Sequence, residues 1–202
     1  NKIHTPVKIE DERGFTIQFR YEGNRLTQII DSRGHLLNVD SDYRGFITQI
    51  SYPAPSENRI LVQYEYDEAG NMIAVYDSYK KKTSIEYDSY HRIVRIISRE
   101  GDSFYWEYDR IGRCIHTWGD GGLQEFWFEY AEGKTVVTDF TGSKEIFEYD
   151  SQYNITKETD ALGNSKYYEY NEDGFLIKEI DEEGWETLHE YDDSGNLIQT
   201  VL

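Results

Sequence analysis

Short apolar bursts alternate with polar punctuation along this chain. TSIEYD (83–88), RIVRII (92–97), SFYWEY (103–108), KTVVTDF (134–140), SKYYEY (165–170) and FLIKEI (175–180) are each five to seven residues long, rich in Tyr, Phe, Trp, Ile, Val and Thr. Such bursts are too short for stable helices and carry the side chains that fill a pleated surface. Gly, Asp, Asn and Ser stand between them. Asp accepts a hydrogen bond from the backbone two residues on, and Gly reaches positive φ. Gly70, Gly112, Gly174 and Gly195 hold one set of turns; Gly14, Gly34, Gly142, Gly163 and Gly184 hold the other. The pattern predicts an all-β chain of consecutive antiparallel hairpins, two strands to a unit.

The units repeat. Tyr66, Tyr87, Tyr108, Tyr130, Tyr149, Tyr170 and Tyr191 follow one another at intervals of 21, 21, 22, 19, 21 and 21, and each is preceded by Glu. Two before the Tyr comes a mostly large residue, from Tyr64 to His189, and Phe19-Arg20-Tyr21 is a looser early copy. A second marker, Asp-x-x-Gly, begins at Asp11, Asp31, Asp139, Asp160 and Asp181; Asp77 has Lys80 in the glycine place. From Asp11, Asp77, Asp139, Asp160 and Asp181 the next repeat Tyr lies ten residues on. Two markers in fixed phase define a repeat architecture. Each unit advances a meandering sheet by roughly 9.6 Å, and a sheet of seven units is expected to twist and curl. Tyr and the residue two before it face one way and the Glu the other. Arg95, His116, Lys157 and Lys178 stand eight residues after a repeat Tyr. They either neutralise the glutamate stripe or lie over aromatic rings. The register decides, and one residue of slip reverses the answer.

These features resemble the RHS/YD-repeat family, which includes bacterial Rhs and wall-associated toxins, the shell of insecticidal toxin complexes and the YD shell of teneurins. The family pattern is Tyr-Asp-x-x-Gly-Arg and an apolar residue. Tyr108-Asp109-Arg110-Ile111-Gly112-Arg113 matches it up to Cys114. The copies at Tyr66-Asp67 with Gly70 and Tyr191-Asp192 with Gly195 carry Asn for Arg. Tyr170-Asn171 with Gly174 is weaker. Tyr87-Asp88 and Tyr149-Asp150 place His91 and Tyr153 where Gly is expected, and the Tyr130 copy has Ala131, with Gly133 one residue early. The resemblance covers nearly the whole chain, 1–202, as a single array, most loosely over 35–60. There SYPAPSENR (51–59) holds two of the three prolines and interrupts the period. The resemblance implies a strip of hairpins that spirals into a hollow shell around a C-terminal toxin. A complete shell is several times longer, so the chain is expected to be a fragment.

Composition narrows the function. The net charge is −18, which repels nucleic acid and anionic membranes. No apolar run reaches the length of a membrane span, and the N-terminal stretch has no apolar signal core. The single cysteine, Cys114, closes no internal disulfide.

Candidate chemistry is sparse, and no cofactor is expected. Seven equivalent glutamates on one face read as solvated decoration, and the YD aspartates as turn caps. DSDYRGF (40–46) begins like a calcium loop but has Arg44 in a ligand place and Ser51 where the bidentate Glu belongs. DDSGN and DEEG read as turns ahead of weak calcium sites. The histidines His4, His35, His91, His116 and His189 show no metal-ligand spacing. Cys114 occupies an apolar repeat position and reads as a buried filler, with a Cys114–His116 nucleophile pair as a remote alternative. WGDGGLQEFWFEY (118–130) is the most irregular connection: either a longer hairpin loop anchored by Trp118 and Trp127, or a patch on which those rings stack against sugars.

The reading is a non-enzymatic section of an Rhs-type toxin shell, delivered outside a bacterial cell, whose partners are an enclosed polypeptide and neighbouring repeats. A carbohydrate- or protein-binding module is the alternative, and a glycan-cleaving enzyme using paired carboxylates the third. Exposed edges and one uncovered aromatic face predict self-association.

Overall fold

A computed structural model describes residues 5–202. His4, one of the five histidines above, lies outside them, as does the start of the N-terminal stretch weighed as a signal core. Among the described residues the regular structure is β, apart from one turn of 3-10 helix at Asp120–Gly122. Its strands form two compact units, Asn1–Ser103 and Phe104–Leu202.

The first unit holds β1 (Lys8–Glu10), β2 (Thr16–Glu22), β3 (Arg25–Asp31), β4 (Leu36–Ser41), β5 (Ile47–Tyr52), β6 (Arg59–Tyr66), β7 (Met72–Asp77), β8 (Lys82–Tyr87) and β9 (Ile93–Ile97). Each is antiparallel to the next. The second unit holds β10 (Ser103–Tyr108, all but its first residue), β11 (Cys114–Gly119), β12 (Leu123–Ala131), β13 (Lys134–Asp139), β14 (Lys144–Tyr149), β15 (Ile155–Thr159), β16 (Ser165–Tyr170), β17 (Leu176–Ile180), β18 (Glu186–Tyr191) and β19 (Leu197–Val201). Its strands too are antiparallel in chain order.

The turns follow from the aspartates. At Asp150 the Oδ1 accepts the Gln152 and Asn154 amides at 2.8 and 3.0 Å, while Oδ2 accepts the Asn154 side chain at 3.1 Å. The backbone closes beneath it: Tyr153 N–H donates to the Asp150 carbonyl, and Asp150 N–H to that of Asn154. This five-residue turn recurs from Asp11 to Asp192 and serves both ends of the hairpins. Its fourth position is left-handed, which suits glycine. Lys80, His91 and Tyr153, the three departures from Gly, keep that conformation at φ 62°, 63° and 66°. The same turn occurs at Asp42, within the loosely matching 35–60 stretch, with Gly45 at φ 94°. Ser41 there takes the place of the repeat tyrosine, so only the side chain is missing from the copy.

One feature of the register was not legible from the pattern. At almost every YD turn the ladder shifts between the Glu and the Tyr. Tyr87 opposes Ile93, yet Glu86 opposes Arg95, leaving Val94 as an extra residue. This bulge moves the bases one place and sets them opposite the glutamates. The Tyr130 copy lacks it: Ala131 pairs with Lys134 across a tight two-residue turn.

Burial is shallow, as a single sheet layer requires. The most buried side chains are small or modest: Ala74, Ser51, Ser103 and Val39.

Candidate functional site

Two sets of side chains recur often enough to define a surface. The first is the repeat tyrosine. The Tyr66 hydroxyl donates to the Ile47 carbonyl at 2.9 Å, Tyr87 to Met72 at 3.0 Å, Tyr130 to Cys114 at 2.6 Å and Tyr191 to Leu176 at 3.0 Å. Each acceptor opens the strand just before the one that carries the tyrosine at or next to its end, so the hydroxyl ties one hairpin to the preceding one. Burial pushes Tyr66, Tyr87, Tyr130 and Tyr170 above the ordinary phenol range. The residue after the previous turn glycine covers some of these rings. Phe46 stacks on Tyr66 and Phe175 on Tyr191, each with centroids 4.9 Å apart, and the Arg113 guanidinium sits 4.4 Å from the Tyr130 centroid. Tyr149 differs, its hydroxyl lying 3.4 Å from Thr135 Oγ1.

The second set is the glutamate row. The bulged register places three residues side by side on successive strands: the residue before the Tyr, its partner, and that partner's neighbour. In the first unit these rows read Arg20–Gln28–Asn38, Asp40–Gln49–Gln63 and Glu65–Ala74–Ser84. Gln63 donates to Gln49 at 3.0 Å and Gln49 to Asp40 at 3.1 Å, while the Tyr76 hydroxyl donates to Glu65 at 3.0 Å. In the second unit they read Glu107–His116–Trp127, Glu129–Val136–Ile146, Glu148–Lys157–Tyr167 and Glu169–Lys178–Leu188.

The bases therefore do both things open to them. Arg95, His116, Lys157 and Lys178 lie 3.4, 3.4, 3.6 and 3.9 Å from Glu86, Glu107, Glu148 and Glu169. Lys157 also stands 5.6 Å from the Tyr167 centroid, and His116 stacks 4.9 Å from Trp127. Lys178 has a closer partner in Glu186 at 2.8 Å, the main reason its ammonium is held above the usual lysine range. These are surface pairs of modest worth.

Trp118 and Trp127 share one stack. Tyr105 lies against Trp118, Trp118 against His116, and His116 against Trp127, at 5.1, 4.2 and 4.9 Å and nearly parallel. The imidazole Nε2 is 3.0 Å from Glu125, and Tyr105 donates to Asp120 at 3.1 Å. The connection is compact, with Gly119 opposite Leu123 and only Asp120–Gly122 between the strands, instead of the longer loop expected. Its glycines are spent on the tight turn: Gly121 and Gly122 are left-handed, and Gly119 packs against Phe104 and Leu123. Trp118 has a ring on either side, so it presents little face to a sugar. Trp127, 38% exposed, presents more.

Other candidates are spoken for. The Cys114 thiol donates to the His116 carbonyl at 3.5 Å, and burial pushes it up from its ordinary range. The imidazole it would need is held between Glu107 and Glu125. In the calcium-like loop Asp42 accepts the Arg44 and Phe46 amides and the Arg44 side chain, and Asp40 accepts the Gln49 side chain. The YD aspartates Asp67, Asp88, Asp109 and Asp192 are engaged alike. Among the described residues no group of three or more His, Cys, Asp or Glu is placed to hold a metal ion. Among them, too, no helix is long and apolar enough to cross a membrane.

No family model matches the sequence, and no curated protein matches it. Solved structures do. The crystal structure of TcdB2-TccC3-Cdc42 aligns at TM-score 0.64 and 12% identity, over 95% of this chain and 12% of that one. TcdB2-TccC3 without its hypervariable C-terminal region aligns at 0.52 and 14% identity, and the Photorhabdus luminescens Tc holotoxin pore carrying TccC3-D651A at 0.50 and 13%. Each of the latter two alignments spans 93% of this chain and 10% of the other. The chain thus spans about a tenth of the length of the structures it matches. At the level of fold, the likeness to repeat shells drawn from the YD pattern holds.

Proposed function

We propose that this chain is a section of a β-hairpin shell that encloses another polypeptide. Its action is exclusion: a hydrogen-bonded wall stands between the enclosed chain and its surroundings. The tyrosine tie carries this reading. An active centre needs one set of residues at one place, whereas the tie recurs at Tyr66, Tyr87, Tyr130 and Tyr191 and joins hairpin to hairpin. The turn carboxylates are consumed by their own backbone, which favours a non-catalytic role. The finer reading is an Rhs-type polymorphic toxin whose shell carries its toxin out of a bacterial cell; the fold shared with toxin-complex structures supports it. How the wide sheet curls around its contents belongs to this proposal.

Limited proteolysis of the polypeptide that carries this chain tests it. A segment protected in the native state and cleaved once urea has opened the sheet is the expected result. Equal cleavage rates in both states would refute enclosure. The binding-module reading rests on Trp127, and a glycan array read with Trp127→Ala tests it: sugar binding lost in that variant would displace the wall-only account.

A further inference from the structure

The third position of each glutamate row changes character along the chain. In the first unit it is Asn38, Gln63 and Ser84. In the second it is Trp127, Ile146, Tyr167 and Leu188. Trp127, Tyr167 and Leu188 are 38%, 45% and 44% exposed, so at three of its four positions this apolar stripe is not spent on the sheet's own packing; Ile146 is half-buried. The four residues sit on alternate strands. Ile146 is level with Thr159, whereas Tyr167 is level with Lys157, two residues along, and the same step recurs at Trp127 and Leu188. Two strand spacings and a two-residue step place neighbours roughly 12 Å apart, which three to four residues of extended chain span.

The stripe is bordered by both signs of charge: Lys144, Lys157 and Lys178 share its face, and the carboxylates of Glu107, Glu125, Glu129, Glu148, Glu169, Glu186 and Glu190 outnumber them. Glu129 opposes Val136 and Glu190 opposes Gln199, so neither faces a base across the ladder. Glu107 and Glu169 keep side chains 59% and 61% exposed despite theirs. The chain as a whole carries −18. Apolar knobs at that spacing, on a face where carboxylates outnumber bases and Glu129 and Glu190 face none, complement one kind of occupant: a segment bearing apolar side chains at intervals with lysine or arginine between them.

We propose that the glutamate face of the second unit, along Trp127, Ile146, Tyr167 and Leu188, is a docking surface for a basic, apolar-studded segment of another polypeptide. This rests on the enclosure reading and deepens it by assigning the inward face and the chemistry of what lies against it. The first unit, with amides and serine in the same row, offers no such stripe.

Fluorescence anisotropy with the full chain tests this. The probe is a labelled synthetic peptide with Leu at every fourth position and Lys and Ser between. Tyr167→Gln with Leu188→Gln, which copies the first unit's amides, is expected to weaken binding about tenfold while leaving the unfolding curve unchanged. Glu129→Gln with Glu190→Gln is expected to weaken it less and to flatten its salt dependence. A peptide with Glu in place of Lys is expected to bind at least tenfold more weakly. Equal affinity for the Gln double variant, or equal binding of the acidic peptide, overturns the proposal. So does light scattering that shows a dimer abolished by the same double variant, which would make a second copy the occupant. Protease protection that persists while peptide binding ignores the stripe leaves the enclosure standing and removes this surface; the reverse removes the enclosure alone.

Discussion

The two units use one backbone rule and distribute their apolar side chains differently. On the face that carries the tyrosines, the first unit pairs Phe19 with Ile29, Val39 with Ile50, Tyr64 with Val75 and Ile85 with Ile96. Its glutamate face is polar or small at the third row position. The second unit has Trp106 opposite Thr117 and Phe128 opposite Val137, then sets Glu158 opposite Phe147 and Glu179 opposite Tyr168. Burial and the nearby Glu158, which accepts the Tyr168 hydroxyl at 3.1 Å, push that phenol up to about 12. Apolar bulk reappears on the opposite face as Trp127, Tyr167 and Leu188. The residues that must be small or special for the backbone are shared by both units. Those that only need to stand on a pleat are free to vary, and there a surface can be written without disturbing the fold.

The largest effect should strike both units alike. Asp67, Asp77 and Asp88 in the first, and Asp109, Asp139, Asp150, Asp160 and Asp192 in the second, all sit below the ordinary carboxylate range. In Asp88, Asp109 and Asp150 burial opposes the shift, and hydrogen bonds from the turn's own amides and side chains outweigh it. A carboxyl depressed in the folded state adds stability above its unfolded value, near 4, and loses it as pH falls through the folded value. Urea unfolding should therefore be flat from pH 7 to 5 and fall steeply below 4 in both units. Asp150→Asn should lower stability at pH 7 and flatten the acid limb. A unit that kept its neutral-pH stability at pH 2.5 would break the shared rule.

Glycine turns sharpen the contrast. A Cβ on Gly195 would stand 2.6 Å from the Phe175 ring that covers Tyr191; on Gly70 it would stand 3.1 Å from Phe46, which covers Tyr66. Both are left-handed, at φ 80° and 91°. Gly195→Ala should cost about 2–4 kcal/mol, combining left-handed strain with overpacking. Gly70→Ala should cost about 1–2 kcal/mol, mostly the strain. Thermal melts of the two variants decide it, and equal costs would mean that the ring gives way freely.

The repeat was legible because its markers are chemical necessities: Asp to cap, Gly to turn left-handed, Tyr to reach back. The Asp42 turn shows how far this goes. Its Asp-x-x-Gly stood in the sequence, but the missing tyrosine at Ser41 hid the copy. The row pairing was not legible, because it hangs on one bulged residue such as Val94, and nothing in an apolar burst marks which residue is extra. The change of character three before the Tyr, from Gln63 and Ser84 to Tyr167 and Leu188, could be read directly. Only the register shows that those positions share a face with the glutamates.

The tyrosine tie gives a smaller effect. Tyr66→Phe removes the donor to the Ile47 carbonyl and should cost about 1 kcal/mol in urea unfolding. Tyr149→Phe in the second unit, whose hydroxyl meets only Thr135 at 3.4 Å, should cost less than half of that. Equal losses would mean that packing of the ring, not the hydroxyl, joins the hairpins.

The smallest effects concern the three residues other than glycine that hold the left-handed position of the aspartate turn. Lys80 and Tyr153 are exposed, and a left-handed side chain costs roughly 1–2 kcal/mol. Glycine gives back roughly 0.4–1 kcal/mol through the freedom of the unfolded chain. Lys80→Gly in the first unit should therefore stabilise by about 0.5–1 kcal/mol. His91→Gly relieves the same strain but removes the ring nitrogen 2.8 Å from Asn71 Oδ1, a hydrogen bond of about 1 kcal/mol, so it should come out near zero. Tyr153→Gly in the second unit gives up only a tilted contact with Tyr149 at 5.9 Å and should fall between the two. The order Lys80, Tyr153, His91 in denaturant midpoint is the test. Equal gains for all three would make left-handed strain the sole determinant and the side chains at this position mere tolerance.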